Sequence, residues 1–290
     1  MNSAAAITSA YQSVDSKLGE MINCNHIDVP MLPEVAGKVV RLTQDPESDA
    51  ADLAKLIQSD QTLAGHVMRV ANSAAYTPNS SMVSLQQAIT RLGMKLISEI
   101  ALAASVNSSL FNTPGYETHI QYILRFSLAS SLWAKEIARS CRKNVEAAFL
   151  TGLLHDIGRP VAVQNSLEIA QSLGVVLTKK EVFSLEKKHQ RTIGIKVIQQ
   201  WEMPAVVTSV VRHFDNYEQP HDHQDQTMIT VAGAEFAEHM MCEDGETVCT
   251  TDEELKAMPV LADLNLYQDE VVALLEKTDR VKSSMEAMVS

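Results

Sequence analysis

Phe149-Leu-Thr-Gly-Leu-Leu-His-Asp-Ile-Gly-Arg-Pro160 is the stretch that decides how this chain is read. An apolar helical run ends in His155-Asp156, and Gly158 and Pro160 stop the helix just beyond it. The pair sets an imidazole nitrogen beside a hard carboxylate. That is the nucleus of a mixed nitrogen and oxygen site for a divalent ion, and such ions activate water against phosphate esters. Two side chains cannot hold a metal, so the chemistry turns on what the rest of the chain adds. The bland reading of the same pair is structural: Asp156 accepts hydrogen bonds from a helix end, and His155 is satisfied in the core.

The flanking sequence has helical periodicity. In Leu53-Ala-Lys-Leu-Ile57 and Leu63-Ala-Gly-His-Val-Met-Arg-Val70 apolar residues recur at spacings of three and four. Ser48 or Asp49, Asp60, Ser84, Asn144 and Thr178 are placed as N-caps. Breaks fall at Asp45-Pro46, Thr77-Pro78, Thr113-Pro114-Gly115 and Met203-Pro204. Alternating, strand-like stretches are missing, so the chain is expected to be all-α. Four parts follow from the breaks: an N-terminal extension, 1–24; an N-terminal helical half, 25–112; a second helical half, 113–242, opening on a long helix from Tyr116 to Arg142; and a C-terminal helical appendage, 243–290.

Composition narrows the classes. The 290 residues hold 24 basic and 36 acidic side chains, a net charge of -12 that repels phosphate backbones and argues against nucleic-acid binding. No apolar run approaches the roughly 18 residues of a membrane span, and the N-terminus lacks a basic start and apolar stretch, so a cytoplasmic protein with no membrane partner is expected. Cys24, Cys141, Cys242 and Cys249 match no zinc spacing and are expected to be reduced thiols. Nucleophile-elbow, phosphate-loop and dinucleotide motifs are absent, and no residue is assigned as a catalytic acid, base or nucleophile.

A basic cluster interrupts the acidic chain: Lys179, Lys180, Lys187, Lys188, Arg191 and Lys196. Several share a helix face, and Lys187, Lys188 and Arg191 are candidates for docking a phosphate-bearing ligand. The competing reading is a solvated face with Glu181 and Glu186 as internal partners.

Leu32-Pro33-Glu34, Leu56-Ile57-Gln-Ser-Asp60, Leu63-Ala64, Val70-Ala71-Asn72-Ser73-Ala74, Ala88-Ile89 and Leu92-Gly93 form an ordered series. It continues in Ala147 to Gly158, Ile193-Gly194, Trp201-Glu-Met-Pro204 and His213. Together these motifs resemble the HDOD domain, a helical signal-output module related to the HD superfamily of metal-dependent phosphohydrolases. The resemblance implies a multi-helix HD-like bundle with an N-terminal helical subdomain. It also implies where ligands belong. Catalytic HD enzymes take their first ligand, a histidine, from the long helix before the His-Asp pair; the similar place here is Leu124-Arg-Phe-Ser-Leu128, with Phe126 or a neighbour at the ligand position and no histidine between His119 and His155. They take the last, an aspartate, from a late helix similar to Val231-Ala-Gly-Ala-Glu235. A family histidine falls at Gln190, with His189 one residue away and so turned by about 100°. The implied metal set is therefore His155, Asp156, His213 and Glu235, for Fe, Mn, Zn or Mg, if a divalent metal is held at all. The first expectation is a signal-transduction module with a degenerate metal site, acting by binding a protein partner or a nucleotide second messenger. The alternative is a metal-dependent phosphohydrolase acting on a nucleotide or other phosphate ester.

Overall fold

Capping side chains set where the helices begin. Asp49 accepts hydrogen bonds from the amides of Ala51 and Asp52 at 2.7 and 3.0 Å, Asp60 from Leu63 at 3.0 Å, and Asn144 from Ala147 at 3.0 Å. Ser84 accepts from Gln87, and Thr178 forms a reciprocal box with Glu181. The structure, a computed structural model, describes residues 2–45, 47–77, 82–242 and 250–289, with side chains from residue 10 onward, Gln44 excepted. The expected breaks at Pro46 and Pro78, and residues 243–249 of the expected appendage, lie outside the described residues.

The described elements are helical throughout. The first part holds α1 (Asn2–Asn23), α2 (Glu34–Gln44), α3 (Ala50–Gln58), α4 (Gln61–Ala71), α5 (Leu85–Leu92) and α6 (Met94–Ser105). The second holds α7 (Glu117–Ser140), α8 (Val145–Leu154), α9 (Gly158–Leu173), α10 (Lys179–Gln200), α11 (Ala205–His213) and α12 (Gln224–Met241). Four shorter helices follow: α13 (Asp252–Lys256), α14 (Pro259–Asp263), α15 (Gln268–Leu275) and α16 (Thr278–Val289).

Helices α2 to α6 pack on one another around Leu53, Ile57, Val67, Val70, Ile97 and Ile100, all fully buried. Asn72 ties this half together, donating to the Met82 carbonyl at 2.9 Å and accepting from the Met82 amide at 2.6 Å. In the second half α7 lies against α8 and α12, with Trp133 and Phe236 ring to ring at 4.9 Å, while α9 lies along α10. The segment before α2 is pinned to the second half: Asn165 exchanges two hydrogen bonds with the Asp28 backbone, and Trp201 Nε1 donates to the Pro30 carbonyl at 2.9 Å.

Two glycines bring the turn between α8 and α9 into register. A Cβ on Gly152 would lie 2.5 Å from Ser131 Cα, and one on Gly158 would lie 1.9 Å from the Gln190 carbonyl oxygen. The backbones of α8 and α7, and of α9 and α10, are thus in direct contact at these points. Gly158 was expected to end the helix before it; it also opens the next one, and Pro160 sits in that helix's first turn, where its missing N–H costs nothing. Cys24 and Cys141 are free thiols, whereas Cys242 is disulfide-bonded, contrary to the expectation that all four cysteines are reduced.

Candidate functional site

His155 caps the C-terminus of α8, with its side chain only 1% exposed. Its Nδ1 donates to the Gly152 carbonyl at 2.7 Å, which leaves the Nε2 lone pair free. That nitrogen has no hydrogen-bond partner and lies 3.7 Å from Asp156 Oδ2. Phe214 stacks on the ring at 4.9 Å and Phe126 flanks it at 5.9 Å. Burial pushes the His155 pKa below its ordinary value, so the imidazole is neutral at neutral pH.

Asp156 is also buried, and two arginines hold it. Arg159 Nη1 donates to Oδ2 at 3.1 Å, and Arg191 Nη1 donates to Oδ1 at 3.1 Å. Burial by itself would raise this carboxyl, but the charges of its His155, Arg191 and Arg159 neighbours outweigh it and hold the pKa below the ordinary carboxylate value. With His155 neutral, the arginines carry that effect. Each arginine is itself anchored outward. Arg191 donates to the His155 carbonyl at 2.9 Å, grips both oxygens of Asp215 at 3.0 Å and lies 4.3 Å over the Phe214 ring. Arg159 Nε donates to Glu186 at 2.6 Å, and the other Glu186 oxygen meets His119 Nε2 at 2.7 Å. A continuous run of charge results, His119–Glu186–Arg159–Asp156–Arg191–Asp215, tying α7, α9, α10 and the turn after α11.

All of these groups but Asp215 line an open pocket of about 450 Å³. Of the expected metal set, His155, Asp156 and Glu235 line it; His213 does not. His213 instead stacks on His221 at 4.0 Å, its pKa lowered by burial and then by that neighbour. Glu235 is half-buried, with its carboxyl raised by burial and by Glu238. Among the described residues no group of three or more His, Cys, Asp or Glu side chains is disposed to hold a metal ion. Both Asp156 oxygens point at guanidinium groups, and the Phe126 ring, which has no lone pair to give, flanks His155. That donor set does not fit a resident divalent ion. The free Nε2 of His155 and the Glu235 carboxylate are the expected ligands that remain in the pocket.

The basic cluster divides. Arg191 belongs to the Asp156 network, Lys187 lines the pocket mouth, and Lys188 and His189 face away to pair with Asp15 of α1. His189 is thus turned off the pocket as its one-residue offset implies, and Gln190 lines the pocket in its place. Glu186, expected on a solvated face, is buried and pairs inward with Arg159 and His119. Sequence reasoning missed Arg159, His119, Glu186 and Asp215 as members of the site. Only Arg159 carried a local signal, three residues after Asp156 in a helix's first turn, where such pairs meet.

A chain with this bundle and this His-Asp turn falls in the HD-like class of helical domains. Residues 29–217 match the HDOD domain, and the chain belongs to that family. Three solved structures share the fold. A Shewanella amazonensis SB2B protein provisionally named a metal-dependent phosphohydrolase is 22% identical, with 96% of this chain and 99% of that chain covered and a TM-score of 0.71. An HDOD domain protein of unknown function from Geobacter sulfurreducens is 16% identical, covering 97% and 99%, with a TM-score of 0.70. A Marinobacter aquaeolei VT8 protein provisionally named a signal transduction protein is 20% identical, covering 97% and 66%, with a TM-score of 0.66. An uncharacterized protein of Treponema pallidum (strain Nichols) is 20% identical over 244 residues, 81% of this chain and 47% of that protein. The chain therefore spans about half the length of the curated relative it matches. No described helix is long and apolar enough to cross a membrane.

Proposed function

We propose that this HDOD chain is a signal-transduction module whose His-Asp pair is a degenerate metal site, acting by binding a partner protein or a small ligand. The carrying observation is the pair of guanidinium groups on the Asp156 carboxylate, each at 3.1 Å. They supply two positive charges where a divalent ion would need uncompensated oxygen. The network is also anchored at both ends, by Asp215 and by Glu186, so neither arginine is free to swing aside without breaking further ion pairs. A cytoplasmic setting agrees with this reading.

One observation favours the alternative, a metal-dependent phosphohydrolase of nucleotides or other phosphate esters: the unpartnered His155 Nε2, a buried nitrogen with its lone pair available. Elemental mass spectrometry on protein purified without tag or chelator, paired with a phosphate-ester substrate panel, separates the two. The proposal expects no stoichiometric metal and no hydrolysis that depends on His155. Near-stoichiometric Fe, Mn, Zn or Mg that disappears in His155→Ala, together with lost turnover, would establish the phosphohydrolase instead.

A further inference from the structure

Arg125 and Phe126 are successive residues of α7, about 100° apart around its axis. Phe126 faces His155, while Arg125 faces a second cavity of about 710 Å³, a size within the range of small-molecule sites. This cavity lies between the two halves. Part of its wall is aliphatic, with Leu63 of α4, Leu110, Leu124 and Leu128, Leu153 of α8 and Met288 of α16, and a serine- and asparagine-containing stretch, 105–109, supplies a polar side. No Phe, Tyr or Trp lines it among the described residues.

Its polar groups are unbalanced toward donors. Arg69 and Arg125 both line it, and Arg125 makes no ion pair among the described residues. Arg69 Nη2 donates to His66 Nδ1 at 2.6 Å, which places the imidazole proton on Nε2. That N–H is buried against the Met288 backbone, with which it makes no fully formed hydrogen bond. Asp60 is the one carboxylate among the described lining residues, and it is committed to capping α4 through the Leu63 amide. In a chain of net charge -12, two guanidiniums without a carboxylate partner beside a leucine-lined hollow are an arrangement that an anion completes.

We propose that this cavity binds a small anionic amphiphile, with its phosphate or carboxylate head on Arg69 and Arg125 and its aliphatic body against the leucine wall. The site is separate from the Asp156 network and stands whether or not that network ever holds a metal. An occupant would bridge α4 of the first half to α7, α8 and α16, which is a position from which a ligand can report to the whole bundle.

Isothermal titration calorimetry with octyl phosphate, kept below micelle-forming concentrations, tests this against its two parts, octanol and inorganic phosphate. Octyl phosphate is expected to bind at least about tenfold more tightly than either part, and more weakly as salt is raised. The double variant R69Q/R125Q should lose about tenfold or more of that affinity. Its melting temperature should stay put, because both arginines are exposed. Octyl phosphate binding no better than one of its parts would overturn the proposal, as would wild-type affinity in R69Q/R125Q. Binding that survives R69Q/R125Q but disappears in Lys187→Ala would place the ligand in the His155 pocket and overturn it equally.

Discussion

Asp156 and Glu99 are both buried carboxylates paired with cations, yet they titrate in opposite directions. Asp156 is held below its ordinary value, whereas burial raises Glu99 despite its ion pair with Lys135. The difference lies in the number and anchoring of the partners. Asp156 has two guanidiniums, each fixed from outside by another carboxylate. Glu99 of α6 has one ammonium on α7, at the seam between the two halves. Burial alone therefore does not set the state of a carboxyl. A carboxylate with one cation partner keeps the option of taking a proton, while one inside a braced network does not.

Removing the carboxylate should break this contrast most. Asp156→Ala leaves two guanidiniums facing each other in a largely buried turn and should cost about 3–5 kcal/mol, read by urea denaturation. A loss under about 1 kcal/mol would mean that the network contributes little. Lys135→Met attacks the other pair, and Glu99 can respond by remaining protonated, so the cost should be smaller, about 1–3 kcal/mol.

The pH dependence of that second variant sharpens the comparison. A carboxyl raised in the folded state adds stability below its unfolded pKa and loses it as pH rises. Denaturation at pH 5 and pH 8 should therefore show the Lys135→Met penalty, relative to the wild type, larger at pH 8. His155 and Asp156 contribute with the opposite sign in both proteins. His155 and Asp156 are both depressed on folding, so their stability is present above the unfolded pKa values, about 6.5 and 3.9, and fades as pH falls through the folded ones. Unfolding free energy should hold between pH 7 and 8, decline below about 6.5, and decline further below about 4; His155→Gln should remove the first decline only. The smallest effect belongs to a half-buried contact near the surface, where α1 meets α10. Asp15→Asn, which loosens α1 from Lys188 and His189, should cost about 0.2–1 kcal/mol, measurable as a small drop in melting temperature.

What could be read in the sequence was whatever is decided locally. Asp49, Asp60, Ser84, Asn144 and Thr178 cap helices because a cap and its amide lie within three residues. The one-residue offset of His189 was readable for the same reason: helix geometry alone turns it off the pocket. Family motifs added the bundle and the placement of Phe126 beside His155. The arginine network could not be read in this way. His119 meets Glu186 across 67 residues, and Arg191 meets Asp156 across 35. Nothing in the spacing of Lys187, Lys188 and Arg191 says that only the last turns inward. Glu186 shows the limit most plainly, since six lysines and arginines within ten residues offered it partners and it chose Arg159 of the preceding helix.

The contact of Gly158 with the Gln190 carbonyl and Gly194 has a consequence for how this region opens. Backbone lies on backbone there, with no side chain between that could rotate to admit water. The arginines that hold Asp156 spring from the same two helices, one residue beyond the glycine on α9 and one beyond Gln190 on α10. Amide protons along this crossing should therefore exchange with solvent only when the whole domain unfolds, as slowly as any in the chain. Deuterium should enter the ends of α10 and the outer turns of α1 long before it reaches them.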